Sequence, residues 1–283
     1  MSTPTAEAVS GPARGEGAVA ISVRDVGKVF NASRRDELVA LEEIGLDIAA
    51  GEFVSLIGPS GCGKSTLLRL VADLETPTTG TVGVNGKPAR RARLDHDYGM
   101  AFQQAGLFDW RTVSANVELP LELLGWDAGR RRERSRELLD LVHLGDFGNR
   151  RPWELSGGMQ QRVAIARALA MRPGILLMDE PFGALDEMTR EHMQAELVRI
   201  CADTGATVLF VTHSIPEAVF LSRRVVVMSA RPGRVTHIVD VDLGERTEQT
   251  RADERFFAAV TEVRAALRGP AGTPSAPGQA AVE

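Results

Sequence analysis

Apolar residues alternate with polar ones over residues 19–30, where Val19, Ile21 and Val23 share one side, the pattern of a half-buried strand. Residues 52–57 (EFVSLI) form a second strand pattern that stops at a cluster of glycines. From 65 to 74 the period changes, and Leu67, Leu68, Val71 and Leu74 fall on one helical face. Residues 79–85, punctuated by Gly80 and Gly86, return to a strand. Helical patterning resumes over 115–148, includes the charged run RRRERSRELLDLVHL, and recurs over 157–171. The unbroken apolar run ending at Asp179 reads as a buried strand, and 186–203 as a helix with Met193, Leu197, Ile200 and Cys201 at i, i+4, i+7 and i+8. Residues 207–212 and 224–229 are further strands, and 253–267 a last helix. Strands alternating with helices predict βαβ units and a mostly parallel sheet, an α/β architecture. The stretch from about 103 to 154 reads as a helical insertion whose arginine run is a solvated face. Residues 1–18 and 269–283, rich in Ala, Gly, Ser, Thr and Pro, read as disordered tails, leaving 19–268 as the folded domain.

Composition narrows the class of function. With 43% apolar and 25% charged residues the 283-residue chain has the profile of a soluble globular protein. Its net charge of −5 argues against a non-specific nucleic-acid partner, which would ask for a positive field. No window holds 18 apolar residues and the first 18 lack a secretory core, so a cytoplasmic chain is expected. Two cysteines, Cys62 and Cys201, are too few for a disulfide framework and lack metal-ligand spacing. All but three of the 33 basic residues are arginine, which reads as a genomic base-composition bias. One of the three exceptions, Lys64, falls where phosphate chemistry asks for a lysine.

Residues 58–66 are Gly58, Pro59, Ser60, Gly61, Cys62, Gly63, Lys64, Ser65 and Thr66, a complete G-x-x-x-x-G-K-[ST] loop between a predicted strand and a predicted helix. Glycines let such a backbone wrap until its N–H groups face phosphate oxygens, and the following helix adds its positive end. Lys64 is placed to neutralise β- and γ-phosphate charge, and the Ser65 hydroxyl to ligate Mg²⁺. The strand ending at Asp179 sets Asp179 and Glu180 at its C-terminal edge, where ligands gather in open α/β sheets. Asp179 suits a metal-holding role and Glu180 that of a base for an attacking water. A third motif, Leu-Ser-Gly-Gly-Met-Gln-Gln-Arg at 155–162, opens a helix at Ser156, Gly157 and Gly158 and makes a second anion site. One chain with one phosphate loop has no internal use for it; a second molecule's ATP supplies one.

These motifs, in this order, resemble the ATP-binding cassette (ABC) family over about residues 19–240, LSGGMQQR being similar to the family's signature motif. The resemblance implies a P-loop cassette with a mixed core sheet, an antiparallel β subdomain and an inserted helical subdomain. It also implies site roles: Gln103 of AFQQ as the glutamine that meets Mg²⁺ and the transporter, although chemistry alone would accept Gln104. Asp186 of GALD would lie at a dimer interface, His213 of VTHS would contact the γ-phosphate, and Phe30 would stack on adenine where tyrosine is commoner. The remaining histidines, His96, His143, His192 and His237, read as structural. The implied mechanism pairs two cassettes around two ATP molecules, each held by one copy's phosphate loop and the other's signature helix.

A single cassette without spans or coiled coils resembles a bacterial importer subunit on the cytoplasmic face of the membrane, partnered by integral permease subunits and, through them, an extracytoplasmic solute-binding protein. The segment 105–125, together with DEMTREHMQAELVRI and VLFVTHSIPEAVFLSRRVVVMSARPGRV, is similar to the nitrate/sulfonate/taurine importer subfamily. That likeness points to a small anion, with pyrimidine or vitamin precursors as alternatives. Asp109 departs from a usual proline and Asp73 from a frequent glycine. Phe108 and Trp110 would either dock a permease helix or be buried within the insertion. The competing class is a soluble ABC ATPase acting on nucleic acid or ribosomes.

Overall fold

Every residue is buried in three strands at the middle of the larger sheet: Phe53–Ile57 (β3), Ile175–Asp179 (β7) and Thr207–Val211 (β8). Burial on both faces is why they read as unbroken apolar runs rather than alternations. The computed structural model describes residues 18–31 and 37–268. Tyr98–Ala101 (β6), Arg224–Met228 (β9) and Val235–Asp240 (β10) complete a sheet of order β10-β9-β3-β8-β7-β6. Five of its strands are parallel and β10 returns antiparallel on β9, so the core sheet is mixed.

Neighbouring side chains along each strand enter opposite cores. Ile175, Leu177, Leu209, Val211 and Val226 join one cluster with helix Lys64–Val71 (α1) and a smaller sheet. Leu176, Met178, Val208, Phe210 and Val225 join the other, which most of the remaining helices cover. The smaller sheet is antiparallel throughout: Val19–Phe30 (β1), Leu38–Ala49 (β2), Thr79–Val84 (β4) and Lys87–Pro88 (β5), in the order β2-β1-β4-β5.

After the short helix Ala89–Leu94 (α2) the inserted segment folds as Val113–Leu123 (α3) and Ala128–Leu141 (α4). Gly157–Ala168 (α5) packs on both. Arg130, Arg132 and Arg136 of the charged run face solvent, whereas Arg134 turns inward to donate to the Leu169 and Ala170 carbonyls at the end of α5. Glu187–Thr204 (α6), Ile215–Leu221 (α7) and Glu254–Arg268 (α8) finish the chain. Among the described residues, no helix is long and apolar enough to cross a membrane. The tails expected at 1–18 and 269–283 lie outside the described residues, Ala18 excepted.

The helix after the phosphate loop stops at Val71, three residues short of the pattern's limit at 74, because Asp73 adopts φ +50°. That left-handed conformation is tolerated by aspartate and natural to glycine, the residue frequent here in the resembled subfamily. The Asp73 carboxylate accepts from Arg93 Nε at 2.9 Å, which ties the turn to α2.

Candidate functional site

Parallel strands present their C-terminal ends on one edge, the usual location of ligands in such sheets. In sheet order that edge carries the turn after β9 with Arg231, the 58–66 loop after β3, His213 after β8, Glu180 after β7 and Gln103 after β6. A cleft of about 330 Å³ opens here. Phe30, Leu38 and Ala40 form its apolar wall, residues 60–66 its floor, and Gln103, Glu180 and Arg231 complete it. Gln104 does not line it, so the structure favours Gln103 of the two glutamines.

The loop's curvature depends on Gly63, at φ +100°, where an added Cβ would lie 2.5 Å from Leu41 Cδ2. Lys64 is buried and bends back on the loop, its Nζ donating to the Gly58 carbonyl at 2.8 Å and the Pro59 carbonyl at 3.1 Å. Cys62 is buried beneath the loop, with Sγ 3.7 Å from Lys64 Nζ. Phe30 pairs with Leu38 across β1 and β2, and Lys28 Nζ stands 4.8 Å from its ring centre. Lys28 is itself fixed by Glu75 Oε2 at 2.9 Å.

Ser65 Oγ donates to Asp179 Oδ1 at 2.8 Å, joining the start of α1 to the end of β7. Asp179 is buried, and burial pushes its carboxyl above the ordinary carboxylate range against the opposing pull of the Ser65 hydrogen bond. A hydroxyl and a carboxylate converging beside a phosphate loop are hard oxygen donors, a set that fits Mg²⁺.

Glu180 sits at φ +45°, an uncommon conformation for a glutamate, with its N–H donating to the Val211 carbonyl at 2.9 Å. Its Oε2 lies 3.2 Å from His213 Nδ1 and 3.4 Å from Gln103 Nε2. A buried network supports the segment carrying His213. Thr212 Oγ1 donates to Glu217 and accepts from the Ser214 N–H at 3.0 Å, while Gln194 Nε2 donates to Glu217 Oε1 at 2.8 Å. Arg251 closes the network, donating to Gln194 with its guanidinium carbon 3.8 Å from the Phe220 ring centre. Burial raises the Glu217 carboxyl above its usual range. Sequence reading gave no role to this network or to Arg231, although their residues lie within or beside the segments that carry the resemblance. The signal for Arg231 was positional, since it follows a strand parallel to the one feeding the phosphate loop.

The signature residues stand apart from this cleft. Ser156 caps α5, its Oγ accepting from the Met159 N–H at 3.3 Å, and Ser156 and Gly157 are exposed. None of Ser156, Gly157 and Gly158 lines the cleft of its own chain. Asp186 likewise caps α6, accepting from the Thr189 N–H at 3.0 Å, and that bond holds its carboxyl below the usual range. Helix α5 nevertheless grips the Gln103 segment. Gln161 Nε2 donates to the Phe102 carbonyl at 2.8 Å, and Arg167 donates to the Ala105 and Gly106 carbonyls at 2.8 and 2.9 Å. Farther along, Trp110 is 71% exposed, with its ring 4.8 Å from that of Phe108. Asn116 holds the loop rigid, accepting from the Phe108 N–H at 2.8 Å and donating to its carbonyl at 3.1 Å.

A phosphate loop, an acidic strand end and a histidine on one parallel edge define a nucleotide-binding P-loop cassette. Residues 41–183 match the family model described as ABC transporter, and the chain belongs to that family. It is 50% identical over 221 residues to an ATP-binding protein of Brucella abortus (strain 2308), covering 78% of this chain and 84% of that one. The nitrate import ATP-binding protein NrtD of Synechocystis is 44% identical over 256 residues, covering 88% and 95%. The taurine import ATP-binding protein TauB of Burkholderia pseudomallei (strain 1710b) is 44% identical over 245 residues, covering 84% and 92%. Among solved structures, the dimeric bacterial ABC transporter cassette MJ0796 superposes with a TM-score of 0.73 at 37% identity, over 78% of this chain and 99% of that one. Its post-hydrolysis state bound to ADP and Pi gives the same TM-score at 36% identity. The fold is that of an ABC ATPase cassette.

Proposed function

We propose that this chain is the ATP-hydrolysing subunit of an ABC importer for a small solute of the nitrate, sulfonate or taurine kind. The observation that carries the reading is the meeting of Gln103 and His213 on Glu180, which lines the phosphate-loop cleft, in a chain whose relatives include nitrate and taurine import ATP-binding proteins. Those relatives favour import over a soluble role on nucleic acid or ribosomes.

In this reading Phe30 stacks on adenine and the N–H groups of residues 60–66 hold the phosphates. Lys64 exchanges its backbone carbonyls for phosphate oxygens. Ser65, Asp179 and Gln103 would hold Mg²⁺, which supplies neutralising charge on the phosphates when bound. Glu180 takes the proton of the water whose oxygen attacks the γ-phosphorus, while the bond from that phosphorus to the ADP oxygen breaks. His213 holds Glu180 through Nδ1 in the free chain and contacts the γ-phosphate once ATP is bound.

The exposed helix start at 156–158 has its use in a second copy, where it meets the γ-phosphate held by the first chain's loop, with Asp186 beside it. Closure of the pair is then favoured by ATP and released by hydrolysis, since a ligand biases the state that holds it better. Gln161 and Arg167 carry that motion from α5 to the Gln103 segment, and exposed Trp110 and Phe108 face the permease. In this reading the cassette pair sits on the cytoplasmic face of the membrane, with a solute-binding protein reached only through the permease. Purification of the tagged chain from gently solubilised native membranes tests the reading. A multi-span protein in equal amount is expected; recovery only with ribosomes or nucleic acid would overturn it.

A further inference from the structure

The turn 229–234 after β9 is built against the phosphate loop. Gly233 donates its N–H to the Ala40 carbonyl at 3.0 Å and accepts from the Glu42 N–H at 3.1 Å, so the turn joins the edge of β2. An added Cβ at Gly233 would lie 2.0 Å from the Cys62 carbonyl oxygen, so the turn touches the loop backbone directly. Ser229 Oγ fixes the turn internally, accepting from the Arg234 N–H and donating to the Pro232 carbonyl, both at 2.9 Å. Arg234 anchors it outside by pairing with Glu42 and Glu43 at 2.9 and 3.1 Å.

Arg231 occupies the tip of this braced turn. Its Nε and Nη2 donate to the Gly61 carbonyl at 3.3 and 3.2 Å, which aims the guanidinium along the loop. Among the described residues it has no carboxylate partner, and Nη1 makes no hydrogen bond. Among the described residues two cations line the cleft, Arg231 and Lys64, and Lys64 is drawn back onto the Gly58 and Pro59 carbonyls. A guanidinium keeps its charge at any working pH and carries five donors in a plane, of which the Gly61 carbonyl engages two. A cation with spare donors, fixed on the rim of a loop whose N–H groups bind phosphate, is matched to an anion in that loop.

We propose that Arg231 is a nucleotide-binding residue of this cassette, its guanidinium reaching from the 229–234 turn across Gly61 to the polyphosphate of ATP. The inference rests on the ATPase reading above and deepens it: a turn to which the resemblance gave no nucleotide role contributes to affinity and to selection by phosphate number. Because the same turn is bonded to β2, phosphate contact at Arg231 also ties the antiparallel sheet to the loop.

Calorimetric titration of the full chain with ATP, ADP and AMP, for the wild type, Arg231→Ala and Arg231→Lys, tests it, with thermal unfolding run on each. Arg231→Ala is expected to weaken ATP binding by about tenfold, as loss of a charge-assisted hydrogen bond does, to weaken ADP less, and to leave AMP unchanged. Arg231→Lys is expected to recover part of the loss, and the wild type's ATP affinity to fall more steeply with salt than the alanine variant's. A wild type that binds ATP beside an alanine variant of equal affinity overturns the proposal. So does equal weakening of all three nucleotides with a lowered melting temperature and no recovery by lysine, the mark of a purely structural arginine. A wild type that binds no ATP overturns the parent reading instead.

Discussion

His213 Nδ1 lies 3.2 Å from Glu180 Oε2, although the two residues are 33 positions apart and end different strands. An ionised carboxylate only accepts, so the contact puts the proton on Nδ1 and leaves Nε2 for another partner. Gln103 Nε2 approaches the same carboxylate oxygen at 3.4 Å, so Glu180 on the cleft wall joins Gln103 inside the cleft to His213 beside it.

If Glu180 is the base, Glu180→Gln keeps the shape of the side chain and removes its proton acceptor. Phosphate release is then expected to fall about 10²- to 10⁴-fold. The dissociation constant for ATP, measured by equilibrium titration, is expected to stay within error of the wild type. Turnover at the wild-type rate would remove Glu180 from its role.

His213 and Glu180 act as one unit in this arrangement, so their effects are not additive. His213→Ala alone is expected to slow hydrolysis about 10²- to 10³-fold, as loss of one oriented donor does. The double variant with Glu180→Gln is expected to be hardly slower than the worse single variant. Single-turnover rates for the four proteins check this, and multiplicative losses would show that the 3.2 Å contact is incidental.

In the proposed mechanism Asp179 trades stability for a hold on Mg²⁺. Burial raises its carboxyl above the unfolded value, so at neutral pH the folded chain bears a buried charge that costs stability. That cost is relieved as pH falls through the raised folded value toward the unfolded one. Asp179→Asn keeps an acceptor for Ser65 and removes the charge. It is expected to melt higher than the wild type at neutral pH, with the gap closing on acidification. Mg²⁺-dependent hydrolysis is expected to drop about 10- to 100-fold. Melting curves from neutral to acidic pH, beside hydrolysis rates, measure both; a variant that melts lower at neutral pH would contradict the assignment.

Trp110 tests the partner surface separately from the chemistry. It is largely exposed on a loop held by Asn116, and it does not line the cleft. Trp110→Ala is expected to leave ATP hydrolysis of the isolated chain unchanged and to lower permease recovery from membranes several-fold. Unchanged recovery would move the docking surface elsewhere.

The central sheet was legible because β3, β7, β8 and β9 are buried runs ending in glycine, acid, histidine or a turn. Strand β2 was not, since Glu42 and Glu43 interrupt its alternation and its pairing with β1 shifts register where Glu43 takes φ +52°. Strand β6 has four residues, too few for any period, and β10 mixes histidine and aspartate into an exposed edge. In the site, the phosphate loop and the 179–180 pair were readable because contiguous residues carry them. Arg231 and Gly61 are 170 positions apart, and Gln194 and Glu217 meet only after α6 and α7 pack. Folding creates those contacts, and local pattern holds no trace of them. The signature helix was readable as an anion site, yet its separation from its own chain's cleft appears only in three dimensions.

That separation makes ATP-dependent pairing of two chains the step on which the proposed mechanism turns. The most direct measurement is the mass in solution of Glu180→Gln with and without ATP and Mg²⁺, by light scattering on a sizing column, alongside the same protein carrying Ser156→Arg. Twice the chain mass is expected with ATP, the single mass without it, and the single mass under both conditions once Ser156 is replaced. ATP binding without any change in mass, or pairing that survives Ser156→Arg undiminished, would contradict that mechanism.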